Sequence, residues 1–151
     1  MKKYELTDET IVIGGQILHR IRALRDFAEV KAGDIGGYIE NENNLSHEGN
    51  AWVSDKACVS GRVKISGDGC ICNNAKIATS EDYAIIQGFG TKCRVTTFYR
   101  CVDGKVRVKC GCFSGTIDDF REQVKRTRTG KVAKEYLMIA DLMEYHFGGE
   151  N

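Results

Sequence analysis

Residues 51–83 read AWVSDKACVSGRVKISGDGCICNNAKIATSEDY, and a six-residue pattern runs through them almost without interruption. One slot of each hexad holds Val53, Val59, Ile65, Ile71, Ile77 and Tyr83. Two residues earlier a small slot holds Ala51, Ala57, Val63, Gly69 and Ala75, and breaks at Glu81. Ser, Gly, Asp and Asn, the turn formers, fill most of the space between. Five consecutive β-branched aliphatics at sixfold spacing do not arise by chance, and a hexapeptide period is the sequence signature of a parallel β-helix. The expected fold is therefore mainly β: a short left-handed parallel β-helix over residues 33–90. Three hexads make one coil, so residues about 18 apart should stack. Trp52 is then expected beneath Cys70, and Lys64 beside Asp82.

Outward from this ladder, residues 1–32 carry apolar alternation on either side of Gly14-Gly15, which suggests a hairpin. Such a hairpin would cap the open end of the first coil. His19 in its second strand reads as structural. Between Gly33 and Gly49 the hexad register degrades: Ile35 fits the aliphatic slot, Asn41 and His47 then fall in it, and Ile39 and Leu45 fill the small slot. Hexapeptide acyltransferases, which share this kind of solenoid, often use a histidine as general base, so His47 is the candidate base. Against it, no insertion breaks the hexads to build an acyl-donor cleft.

Residues 91–151 form a third region. CRVTTFYRCV and KVRVKCGCFS flank Asp103-Gly104, a two-residue hairpin signal. That turn would oppose Cys101 to Val106, Tyr99 to Val108, Thr97 to Cys110 and Val95 to Cys112. The other face would carry Arg94, Phe98, Arg100, Arg107, Lys109 and Phe113, with Arg100 opposite Arg107. Like charges so placed destabilise a hairpin unless an anion or a carboxylate lies between them. Thr116-Ile-Asp-Asp119 resembles a capping box and opens a helix bearing Arg121, Lys125 and Arg126. Gly130 separates it from a second helix, Val132 to Phe147, apolar almost all round, which must bury more than one face.

The 151 residues carry a net charge of +1, so bulk charge names no partner. No apolar run of membrane-spanning length occurs, and MKKYELTDET lacks the apolar core of a signal peptide, so a soluble, cytoplasmic protein is expected. The seven cysteines read as reduced thiols. Cys70-x-Cys72 and Cys110-x-Cys112 have neither zinc spacing, so neither a metal nor another cofactor is expected. A redox role for either pair stays open. No phosphate-loop, dinucleotide, nucleophile-elbow or zinc-protease motif is present.

Two segments resemble a group of small phage and prophage proteins. The first is RIRALRDF, then VKAGDIGGYIE and NLSHEGNAWV leading into hexads; the second is VKCGCFSGTIDDFREQV followed by KEYLMIADLMEYHF. The resemblance implies a hexapeptide-type β-helix with a C-terminal αβ module on a mobile element, acting in the host cell cytoplasm. It brings no catalytic residues. Together these features lead to a non-enzymatic accessory protein that acts by binding. It would counter host antiviral defence by blocking a defence protein or by sequestering a small anionic nucleotide. The expected site is Arg94, Phe98, Arg100, Arg107, Lys109, Arg121, Lys125 and Arg126, with nucleic acid as the weaker ligand reading. Two alternatives stand beside it: an acyltransferase using His47, and a structural trimeric module. A short prism buries a thin core, so a homotrimer is expected in either case.

Overall fold

A computed structural model describes residues 2–91 and 94–148. The chain begins with a long antiparallel hairpin, β1 (Tyr4–Ile13) and β2 (Gln16–Ala23), turning at Gly14-Gly15. β3 (Ile35–Ile39) pairs antiparallel with β2 and parallel with β5 (Cys58–Val59). β5 in turn pairs in parallel with β7 (Lys76–Ile77), which completes a five-stranded sheet. A separate two-stranded parallel sheet joins β4 (Trp52–Val53) to β6 (Cys70–Ile71). The third sheet is antiparallel, in the order β11-β10-β9-β8. It comprises β8 (Tyr83–Ile86), β9 (Thr96–Arg100), β10 (Val106–Cys110) and β11 (Phe113–Thr116). Helices α1 (Ile117–Thr127) and α2 (Gly130–Gly148) follow.

The left-handed parallel β-helix expected from the hexads is thus corrected to a β-rich chain of three sheets, one of them mixed, with two helices. The hexads did govern local spacing. Val53, Val59, Ile65, Ile71 and Ile77 are all fully buried, and Trp52 pairs with Cys70 and Val59 with Ile77. A period determines which side chains turn inward, however, and not how far a sheet extends. The hexad strands are only two residues long, and the ten-residue β1 supplies the longest ladder. β8 pairs antiparallel with β9 and becomes the edge of the third sheet.

The early register is also different. Ile39 pairs with Val59 and Leu45 bridges to Ile65, so both occupy the inward aliphatic slot and are fully buried. The turn from Leu45 to Val53 is two residues longer than a hexad, and His47 lies in that longer turn. Ile35, placed inward by the sequence reading, is half exposed. Asp82 pairs with Arg100 at 3.4 Å, not with Lys64.

In the third sheet the hairpin loop has three residues, Val102, Asp103 and Gly104, closed by a bond from the Cys101 N–H to the Lys105 carbonyl (2.8 Å). Gly104 takes φ 80°, the left-handed position such a loop requires. One extra loop residue shifts the register by one and turns every side chain to the other face. Arg107 therefore opposes Tyr99, and Arg100 opposes Val106, so the two arginines are not directly opposed. Phe98 and Val108 pair on the inner face and are fully buried with Phe120, Val124, Tyr136 and Met143 of the helices.

α1 starts on a complete capping box: the Asp119 N–H donates to Thr116 Oγ1 (3.0 Å), and the Thr116 N–H to Asp119 Oδ2 (3.1 Å). α2 buries Tyr136, Ile139, Ala140, Met143 and Phe147 and leaves Met138, Leu142 and Tyr145 exposed. Among the described residues no helix is long and apolar enough to cross a membrane. Backbones approach closely at Gly36 and Gly37, where a Cβ would stand 2.6 Å from the Val53 carbonyl and 2.5 Å from that of Ala57.

Two substitutions separate inward from outward hexad slots. Ile71→Ala is expected to cost about 2–5 kcal/mol by leaving a cavity in the stacked column. Lys76→Ala, in an exposed slot, should stay within about 0.5 kcal/mol of wild type. Urea unfolding of both variants measures the difference.

Candidate functional site

A cleft of about 810 Å³ opens between three parts of the chain. The 28–35 loop contributes Glu29, Val30, Asp34 and Ile35; the hexad stack contributes Trp52, Asp68 and Cys70; the third sheet contributes Thr97 and Lys109, with Arg94 beside them. Its charge is divided. The carboxylates come from the loop and the hexad turns, and the cations come from residue 94 and β10. Trp52 forms an apolar wall, held edge-on by Phe27 (5.2 Å) and Tyr4 (6.5 Å). Lys109 Nζ donates to the Gly111 carbonyl at 2.6 Å. Burial pushes the Cys70 thiol up to about 11, so it stays protonated at neutral pH and is no nucleophile. Carboxylates line this space, but no imidazole does.

His47 lies elsewhere, packed against the N-terminal strand. Its ring stacks on Tyr4 at 4.1 Å. Nδ1 accepts the Lys3 backbone N–H at 3.1 Å, so the ring proton sits on Nε2, which donates to Glu42 Oε1 at 2.7 Å. That bond is the first cause holding the Glu42 carboxyl below its usual range. A carboxylate-oriented imidazole has the form of a general base. Here, though, the lone pair that would take a proton already has a partner. The partner is anchored too: fully buried Lys3 donates from Nζ to the Ala51 carbonyl at 2.5 Å and lies 4.9 Å from the Phe27 ring centre. As placed, His47 ties the first hairpin to the long turn.

The sequence-derived arginine face is not assembled. Phe98 is fully buried, 6.0 Å from Phe120, and cannot stack on a ligand. Arg100 engages Asp82, the Phe147 carbonyl (3.3 Å) and the Phe147 ring. Arg107 pairs with Asp103 at 3.1 Å. Arg121 holds Asp118, Asp141 and Glu144 at 2.7, 2.8 and 2.6 Å, which locks α1 to α2. Lys125 lies 3.8 Å from Glu122, and Arg126 donates to Gln123. Of the eight expected residues, only Arg94 and Lys109 line the main cleft. The residues missed are Trp52, read only as stacking beneath Cys70, and the acids Asp34 and Asp68. Trp52 carried the one available signal, a large aromatic in an outward hexad slot.

Cys72 meets the Tyr99 hydroxyl at 2.9 Å, and the Asn73 amide donates to the same oxygen. Among the described residues no three His, Cys, Asp or Glu side chains cluster as metal ligands.

No protein-family model matches this chain. A protein of Escherichia coli (strain K12) named "Uncharacterized acetyltransferase YdcK" is 35% identical over 82 residues, covering 44% of this chain. The match spans 25% of that relative's length.

The Lys3 anchor has a pH signature. Burial lowers the Lys3 ammonium from 10.5 to about 8. Between these values the unfolded chain keeps a proton that the folded chain releases, so stability rises with pH across that window. Below pH 8 both states are protonated and the burial cost is constant. Wild type should therefore gain stability from pH 8 to pH 10 relative to Lys3→Met, with no relative change from pH 6 to pH 7. Denaturant titrations at each pH check this.

Proposed function

We propose that this chain serves acyl-group transfer by holding an acyl donor or its acceptor in the Trp52–Lys109 cleft, with His47 as a structural support and not the base. The observation that carries this reading is the identity shared with a protein named an acetyltransferase. The cleft suits the chemistry. Arg94 and Lys109 offer cations to an anionic donor, Trp52 offers an apolar wall, and Asp34 and Asp68 offer carboxylates to an amine or hydroxyl acceptor. His47 is supported in its structural role by its two occupied ring nitrogens.

Titration with acetyl-coenzyme A tests the reading, with turnover followed in parallel. Binding to wild type is expected, and Lys109→Ala should weaken it about tenfold, the loss of one charged contact. His47→Gln should lower the unfolding midpoint and keep donor affinity. If the donor does not bind, acyl transfer fails as the function. If wild type turns over and the folded His47→Gln variant binds but does not, His47 is the base after all. Binding of a host defence protein or a cyclic nucleotide, without the donor, would return the chain to the counter-defence reading of the phage resemblance.

A further inference from the structure

A second cavity lies apart from the hexad stack, between Gly90, Thr91 and Arg94 on one side and the junction of α1 with α2 on the other. It holds about 360 Å³, and its wall includes Thr91, Arg94, Thr127, Arg128, Thr129 and Tyr136. No carboxylate lines it. Arg100, Arg107 and Arg121 each meet an acid, whereas Arg94 and Arg128 form no ion pair with a carboxylate among the described residues. Both of these exposed guanidinium groups line the same space, together with Thr91 and Thr129; the hydroxyl of Thr127, also in the wall, donates to the Gln123 carbonyl at 2.7 Å. A planar guanidinium matches a phosphate with two parallel N–H donors, and hydroxyls complete such a site.

An adjoining hollow of about 150 Å³ shares Arg94, Thr127, Arg128 and Tyr136 with this cavity. Its remaining wall is largely apolar, with Phe113, Phe120 and Val124. The combined shape has a cationic, hydroxyl-rich mouth and a small aromatic recess. A free inorganic anion would leave that recess unused, and an apolar molecule would leave two arginines unpaired.

We propose that this cavity binds a small phosphomonoester. Its phosphate sits between Arg94 and Arg128 beside Thr91 and Thr129, and its apolar body lies against Phe113. The site goes beyond the acyl-transfer reading; it shares Arg94 with the Trp52–Lys109 cleft, whereas Arg128 lies outside that cleft, so Arg128→Gln separates the two.

Three probes test the proposal by calorimetric titration of the full chain: phenyl phosphate, inorganic phosphate and phenol. Phenyl phosphate should bind most tightly, inorganic phosphate more weakly, and phenol not measurably. Arg94→Gln and Arg128→Gln should each weaken phenyl phosphate about tenfold or more, the loss of one charged contact. Arg126→Gln, in the last turn of α1 and already bonded to Gln123, should leave it unchanged. Circular dichroism confirms that these surface variants fold. The proposal is overturned if phenyl phosphate fails to bind at millimolar concentration, or binds equally well to the folded double variant Arg94→Gln/Arg128→Gln. Phenol binding as tightly as phenyl phosphate would remove the phosphate role. Inorganic phosphate binding as tightly would remove the aromatic recess.

Discussion

Burial of one aliphatic column constrains everything else in this chain. Val53 lies against Ile71, Val59 against Ile77, and Leu45 against Ile65, all without solvent access. Each parallel pair is only two residues long, but backbone hydrogen bonds continue between successive turns beyond it, such as the Ser54 N–H to the Ile71 carbonyl (2.9 Å) and the Ser60 N–H to that of Ile77 (2.9 Å). Side-chain burial acts with them to hold the stack. Backbones packed this closely leave no room for a Cβ at Gly36 or Gly37. The same core takes in Tyr4, Ile21 and Phe27 from the first hairpin and Tyr99 and Cys101 from the third sheet. Hairpin, stack and sheet are therefore one cooperative packing unit, and each end of the stack is closed by antiparallel structure.

The second core, around Phe98, Phe120 and Tyr136, decides how the basic residues are used. Once α1 and α2 cover the third sheet, the arginines nearest the joint are drawn into structure. Arg121 spans the two helices through three acids, and Arg100 fastens the end of α2 to β9. Exposed pairs of this kind contribute little singly, but a guanidinium shared among three carboxylates restricts the geometry of the joint. Arg94, Lys109 and Arg128 form no ion pair with a carboxylate among the described residues.

The sequence exposed the inward slots because burial follows a period that one chain displays on its own. It missed the early register because the turn at His47 is two residues longer than a hexad, and a longer turn leaves the aliphatic spacing ambiguous between two slots. It missed the β9–β10 register because Asp103-Gly104 serves a two-residue loop or part of a three-residue one. The choice rests on which face meets α1 and α2. That one-residue difference dispersed the supposed arginine face and buried Phe98.

Candidate site residues were legible only in part. Arg94 and Lys109 stood out as basic residues beside a hairpin, but their neighbours Trp52, Asp34 and Asp68 lie far from them in the chain. What the sequence determined alone was local: the hexad burial, the first turn, the capping box at Thr116 and the two helices. Those depend on propensity and periodicity over a few residues. The tertiary structure alone decided the mixed sheets, the partners of each arginine, the engagement of both His47 nitrogens and the joining of three segments into one cleft. Each of these depends on contacts between distant residues, where burial and charge pairing select among arrangements that local pattern leaves equal.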